Sequence, residues 1–404
     1  MYNSSPSHLY YVNYIRKLFY LFAQPRHPAS EPTPSSSLAP PAREVYIYWN
    51  SVTTRSKSTV VKMSVHKSPS RIYLLDGGLG TTLQDNHSIV FDSSTPLWSS
   101  QLLLDSQSTL LAAQSSFADS GADVILTATY QASFEGFALS GVTDEEEAGR
   151  YMRDAVSIAK NSFNARAKSE DEGQVVLSLG AYGAIMIPGQ EYTGRYDEKR
   201  ATVEGLRQWH FSRIEAFFSH SNKESDQQKE KIECWNNVSL VAFETLPLLK
   251  EVEAVRKVMG DVSNLLKGDD QKGFWVTCVF PGEGNRLPDG SSVKEVVKKL
   301  LEKREGSAVP MGIGLNCTKI LKVEELVLEF ETAVRQMVNS GETDEWPALV
   351  LYPDGTNGEV YNTTTKVWEK KAEATEVSLL KLLVGFELIL TYADRFHGMR
   401  LCLT

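Results

Sequence analysis

The chain has 404 residues, 42% hydrophobic and 23% charged, with a net charge of −9. That is a globular composition, too long for one small core yet within the range of a single large α/β barrel. Residues 1–70 hold eight Lys and Arg against two acids (Glu31, Glu44), a balance of +6, so the rest of the chain sits at −15. An acidic body excludes the clustered positive charge of a nucleic-acid surface.

Four cysteines (Cys234, Cys278, Cys317, Cys402) are too sparse for a disulfide framework, and none forms a CxxC pair. No stretch of about twenty uninterrupted apolar residues exists to span a membrane. The expectation is a reduced, cytoplasmic protein. Residues 1–70 read as a disordered, low-complexity extension: Pro28 to Pro41 is mostly Pro, Ser and Ala, which cannot bury enough apolar surface to offset its ordering entropy. The segment is also acid-poor with scattered Arg and Ser, the composition of a mitochondrial presequence, and Met63 offers an alternative start.

From Arg71 to the end, short β-branched runs alternate with segments at helical period. Strands are expected at Ile72–Leu75, Val124–Ala128, Val175–Leu179, Val238–Phe243, Phe274–Phe280, Met311–Leu315 and Ala348–Tyr352. Helices are expected at Leu102–Ser120, closed by Gly121, and at Asp144–Ala165, Val203–Phe218, Leu249–Val258, Val293–Glu305 and Val323–Val338. The polar run Ser221–Lys231 reads as a solvated insertion. Strand alternating with helix implies parallel pairing through right-handed crossovers. Seven such units, with room for an eighth, predict a (β/α)8 barrel over residues 71–404.

Asp76-Gly77-Gly78, Thr127 to Gln131, Tyr182-Gly183, Glu244-Thr245, Asn316-Cys317 and Tyr352-Pro353 all fall at or just past predicted strand ends. In a barrel those ends share one rim, where active sites are built. Singly, each has a bland explanation: an Asp before two glycines is a turn residue, Glu244 a helix N-terminal carboxylate, Cys317 a small buried hydrophobe. Gly77-Gly78-Leu79-Gly80 lacks dinucleotide or phosphate-loop spacing. Its glycines, like Gly312 and Gly314 on the sixth strand, admit close approach by backbone or a small ligand.

The segments LLDGGLGTTLQ (74–84), TATYQASFEGF (127–137), EYTGRY (191–196), AFETLPLLKEVEAV (242–255), GIGLNCTK (312–319) and LYPDGTNGEVYN (351–362) resemble the homocysteine S-methyltransferase family, in order and spacing. The resemblance covers roughly residues 71–370 and is closest to the enzymes using S-methylmethionine or S-adenosylmethionine. It implies a barrel in which Zn²⁺, held by three cysteine thiolates, deprotonates the homocysteine thiol for attack on the methyl group of a sulfonium donor. By position, Cys317 corresponds to the first zinc ligand. Asp76, Gly77, Thr127 and Glu244 correspond to positions that hold homocysteine, with Glu244 facing its α-ammonium. Gln131 stands where betaine-using relatives carry tyrosine, which disfavours betaine as the donor.

The family's other two ligands form a Gly-Gly-Cys-Cys run on the eighth strand, and this chain has none. After Trp368 the resemblance fades, so the last βα unit is expected to be incomplete or altered. A Cys317–His397–Cys402 set is chemically allowable, but nothing in the sequence fixes either partner. Two readings follow: a zinc-dependent methyltransferase making methionine, or a catalytically impaired or non-catalytic barrel that keeps the homocysteine pocket.

Overall fold

The computed structural model describes residues 72–92, 95–164, 173–220, 225–344, 346–354, 359–362, 367–370 and 401–403. The extension at 1–70 and His397 lie outside them. Seven strands occur where apolar runs predict them: β1 (Ile72–Leu74), β2 (Val124–Leu126), β3 (Gln174–Gly180), β4 (Leu240–Leu246), β5 (Gly273–Cys278), β6 (Gly312–Lys319) and β7 (Ala348–Asp354). A hairpin of β8 (Glu359–Asn362) and β9 (Val367–Lys370) follows, and β10 (Leu401–Leu403) takes the eighth place.

The sheet order is β1-β10-β7-β6-β5-β4-β3-β2, with every neighbouring pair parallel. Its two ends meet through a single bridge, Leu75 to Val124. Hydrogen bonds flank it, from Asp123 N–H to the Leu74 carbonyl (2.8 Å) and from Asp76 N–H to the Val124 carbonyl (2.9 Å). The architecture is an altered (β/α)8-type fold whose parallel sheet is incompletely closed, its two ends joined only at this narrow seam rather than by a full ladder. Its last unit is altered: the described residues between β7 and β10 form a hairpin where earlier units carry helices.

The helices are α1 (Leu79–His87), α2 (Leu102–Asp105), α3 (Gln107–Asp119), α4 (Phe134–Leu139), α5 (Glu145–Asn161), α6 (Val203–Glu215), α7 (Asp226–Asn237), α8 (Leu249–Leu265), α9 (Val293–Leu301) and α10 (Val323–Asn339). The helix predicted over 102–120 is broken at Ser106, whose extended backbone (φ −164°, ψ 83°) separates α2 from α3. Two sequence expectations fail. The chain enters α1 directly after β1; LGTTLQDNH buries only Gly80 and Leu83 and so shows no apolar stripe. Much of the polar run 221–231 is helical: from Asp226 it forms α7, anchored by buried Cys234 and Trp235 and capped by the Ser225 side chain.

Period-two alternation divides the sheet. Leu75, Val124, Val176, Ala242, Trp275, Val350 and Tyr352 form one cluster inside the barrel. Intervening residues such as Val241, Phe243, Ile313 and Leu315 pack with the helices outside. On β4 the inner series Leu240, Ala242 continues to Glu244, and on β6 Gly312, Gly314 continues to Asn316. Sequence alternation thus carries polar groups into the mouth on the same face that fills the interior. Gly314 is explained by its neighbour: a Cβ there would lie 1.8 Å from the Val350 carbonyl oxygen. The close approach is by backbone of β7, not by a ligand.

Both β4 and β6 lose regular register at this level, between Phe243 and Leu246 and between Asn316 and Lys319. At these points Thr245 (φ +60°) and Cys317 (φ +47°) are left-handed, a conformation costing roughly 1–2 kcal/mol for a residue with a Cβ. Strand β6 therefore does not stop at Leu315 as expected; it runs on to Lys319 through this kink. No helix among the described residues is long and apolar enough to cross a membrane.

Candidate functional site

Asp76 follows β1 and is buried; its Oδ2 accepts the Leu126 N–H at 2.9 Å, while Oδ1 is buried without a partner. Glu244, also buried, is hydrogen-bonded to Ser178 and leaves its Oε1 unpartnered. Burial raises the Asp76 carboxyl well above the ordinary carboxylate range, and the charge of Glu244 raises it further against the pull of the Leu126 N–H. Burial likewise pushes Glu244 up to about 8. Both carboxyls are thus biased toward the neutral form, and a positive group between them would reverse that bias. Glu244 lies within β4, ahead of a helix that begins only at Leu249, so the helix-dipole explanation does not apply.

Thr127 is buried in the wall just past β2. Its hydroxyl accepts the Ser178 N–H (3.0 Å) and bonds the Thr129 hydroxyl (2.6 Å), tying the β2 end to β3. Gly77 packs beneath α3, where a Cβ would come within 2.9 Å of the Phe117 ring. Gln131 donates to the Ala184 carbonyl at 2.8 Å.

Cys317 sits at the kink of β6 among hydrogen-bond donors. The Asn316 amide nitrogen is 3.3 Å from its sulfur, the Thr245 hydroxyl 3.9 Å, and the Tyr192 hydroxyl also bonds it. Asn316 in turn accepts the Thr245 N–H (2.8 Å) and donates to the Thr245 hydroxyl (2.7 Å), so the two kinked strands are buckled together. Burial pushes the thiol up to about 11, partly offset by the Thr245 and Tyr192 hydrogen bonds. Thr245, next to Glu244 on β4, is thus tied to Asn316 and lies near the sulfur, so the β4 end that carries Glu244 adjoins the β6 end that carries Cys317.

Several residues here carried no assigned role in the sequence. Glu191 is buried with Oε2 unpartnered, and burial lifts its carboxyl to about 7. Tyr130, just past β2, feels the charges of Glu191, Cys317 and Glu244 together. The Arg213 guanidinium on α6, 1% exposed, donates to the carbonyls of Thr129, Tyr130, Ala132 and Gly180 and stacks on Trp209 at 4.5 Å. It fixes the β2–α4 loop from behind. Tyr130 lies within the Thr127–Gln131 strand end, and Glu191 and Tyr192 within EYTGRY, all visible in the sequence without an assigned role; nothing marked Arg213.

Zinc does not fit the residues described. Cys317 is surrounded by donors to its sulfur rather than by further ligands, and among the described residues no three His, Cys, Asp or Glu converge as a metal site. Cys278 points into the outer core and Cys234 lies on the buried face of α7; burial raises both thiols, Cys234 to about 12. Four-coordinate catalytic zinc needs three protein ligands, and a single thiolate does not supply them.

The homocysteine S-methyltransferase family model matches residues 73–386. The chain belongs to this family. The match runs past Trp368, where the short motifs fade, and spans the chain from within β1 through β9. A betaine-homocysteine S-methyltransferase of Drosophila melanogaster is 31% identical over 307 residues, covering 74% of this chain and 82% of that protein. A selenocysteine methyltransferase of Astragalus bisulcatus is 26% identical over 321 residues, covering 76% and 82%. The metallated homocysteine methyltransferase MmuM of Escherichia coli superposes with a TM-score of 0.57 at 23% identity, covering 82% of this chain and 90% of that one. This last likeness bears on the fold alone, and it agrees with the barrel.

Proposed function

We propose that this chain binds homocysteine, or an amino acid of the same chemistry, at the barrel mouth without activating its thiol on zinc. It would then be a catalytically impaired or non-catalytic member of the family. The observation that carries this reading is a pair of buried, unpartnered carboxyl oxygens, Asp76 Oδ1 and Glu244 Oε1, near a thiol, Cys317, that joins no cluster of metal-ligating side chains among the described residues. An α-ammonium between the carboxyls would satisfy both oxygens and supply the missing positive charge. Thr127 and Gly77 shape the wall on either side. The thiol of a bound homocysteine would stay largely protonated and weakly nucleophilic, so methyl transfer from S-methylmethionine or S-adenosylmethionine would lack its activated nucleophile.

The family match favours the second reading, a working methyltransferase, and one set of measurements separates the two. L-homocysteine binding by calorimetry, zinc per chain after dialysis, and methionine formation with zinc supplied would be measured on the full chain. The donors would be S-methylmethionine, S-adenosylmethionine and, because of the Drosophila relative, betaine. We expect homocysteine binding, zinc well below one per chain and no methionine from any donor. Stoichiometric zinc that is lost in Cys317→Ala, together with methionine formation, would establish the methyltransferase instead.

A further inference from the structure

Two strands separate the carboxyls of the mouth. Asp76 is hung on β2 by the Leu126 N–H, and Glu244 stands on β4 opposite Gly180 of β3. Their separation is therefore set by how the ends of β2 and β3 sit against each other. The paired register of those two strands stops at Leu126 and Val176, yet β3 runs on to Gly180. Past that point the segment following β2 makes the junction. The Thr129 hydroxyl donates to the Ser178 carbonyl (2.7 Å), and the Tyr130 carbonyl accepts the Gly180 N–H at 3.0 Å. Gly180 is required for this approach, since a Cβ there would lie 2.6 Å from the Tyr130 carbonyl oxygen.

Arg213 lies behind this junction, buried on α6. Its Nε donates to the Ala132 carbonyl (2.9 Å), Nη2 to those of Thr129 (3.2 Å) and Tyr130 (3.1 Å), and Nη1 to that of Gly180 (2.9 Å). One planar group thus holds three carbonyls of the β2–α4 loop and the last carbonyl of β3, a spread that the compact ammonium of a lysine does not match. All four acceptors are neutral. A buried cation is costly unless compensated, and a guanidinium placed for charge alone would pair with a carboxylate. The bonding of Arg213 instead marks it as a fastener between two strand ends. The Trp209 ring backs it at 4.5 Å.

We propose that Arg213 is a positioning residue that straps the end of β2 to the end of β3 and so fixes the separation of Asp76 and Glu244. An α-ammonium held by both carboxyls needs both oxygens at hydrogen-bond distance at once, and a small shift of one wall loses one of them. The inference rests on the proposed binding site for this consequence, but not for the strap itself.

The test uses the full-length protein and two readouts, in wild type, Arg213→Lys, Asp76→Asn and the Arg213→Lys/Asp76→Asn double variant. Arg213→Lys keeps the charge and the stem but gives up the fork. If it does not fold, Trp209→Phe, which shrinks the ring behind the guanidinium, takes its place in both readouts. The first readout is amide hydrogen exchange, followed by peptide mass. We expect exchange to quicken severalfold in peptides holding residues 127–133 and 178–181 of Arg213→Lys, with α10 unchanged as the internal reference. The second is homocysteine affinity by calorimetry. Arg213→Lys and Asp76→Asn should each weaken binding severalfold, and the double variant should bind no more weakly than Asp76→Asn alone, because one carboxyl leaves no separation to fix. Exchange that is unchanged at the two strand ends, or that quickens equally in α10, would overturn the proposal, as would additive losses of affinity. If the wild-type chain fails to bind homocysteine, the binding reading falls while the exchange pattern still judges the strap.

Discussion

Replacing Glu244 by Gln should weaken homocysteine binding about 30-fold or more and, at the same time, raise the melting temperature of the ligand-free protein at pH 8. The first effect follows from removing the buried charge proposed to meet the α-ammonium, a loss of about 2–5 kcal/mol for a desolvated pair. The second follows from linkage. Burial lifts the Glu244 carboxyl to about 8 in the folded state from an ordinary value of 4.5. Below that ordinary value both states hold the proton; between it and 8 only the folded state does. Stability contributed by this group is therefore lost as pH rises through that window, and levels off above it. Glu191, lifted to about 7, adds a parallel loss ending sooner. Glutamine does not ionise, so its unfolding profile should be flatter from pH 5 to 8, with a gain on the order of a few kcal/mol at the upper end. Thermal melts across pH, with and without homocysteine, would check both halves. A variant that binds normally, or a wild-type profile that rises with pH over this window, would contradict the assignment.

Gly314→Ala should be the most damaging single-methyl addition in the sheet. The new Cβ would lie 1.8 Å from the Val350 carbonyl oxygen, a backbone atom of the paired strand that cannot rotate away. The β6–β7 ladder must separate, so a destabilisation of about 3 kcal/mol or more is expected, above the usual range for overpacking. For a domain of this size that corresponds to a fall of roughly 4 °C or more in melting temperature. Because Asn316 and Cys317 follow two and three residues later on β6, surviving protein should also show altered Cys317 alkylation. A melting temperature within a degree or two of wild type would show that the strands yield more easily than their spacing implies.

The barrel was legible from sequence because its strands are short β-branched runs and its long helices carry clear apolar stripes. Asp76, Glu244 and Cys317 were legible as a site for a related reason: a polar residue that ends a buried run has nowhere to go but the rim. What was not legible depends on contacts distant in sequence. Nothing local to Arg213 says that it will reach the carbonyls of Thr129, Tyr130, Ala132 and Gly180. Nothing local to Glu251 says that it will meet Tyr182, Tyr196 and His210. The helix α1 escaped because LGTTLQDNH buries too little to show a period, and α7 because Cys234 and Trp235 alone supply its inner face. The strand-end position of Cys317 was clear, but its left-handed backbone and the Thr245–Asn316 buckle follow from register shifts that one-dimensional pattern does not encode.

The position of β10 carries a consequence for how the molecule is made. It pairs Tyr73 with Cys402 and Cys402 with Val350, so strands from opposite ends of the chain become neighbours only once residues 401–403 have been synthesised. During translation β1 and β7 wait as open edges, each a template for pairing with another chain. Contacts of such long sequence separation form slowly, and the three-residue β10 gives little to nucleate them. Ring closure should be the last and slowest step of folding, and premature termination before β10 should yield aggregates rather than a smaller stable barrel.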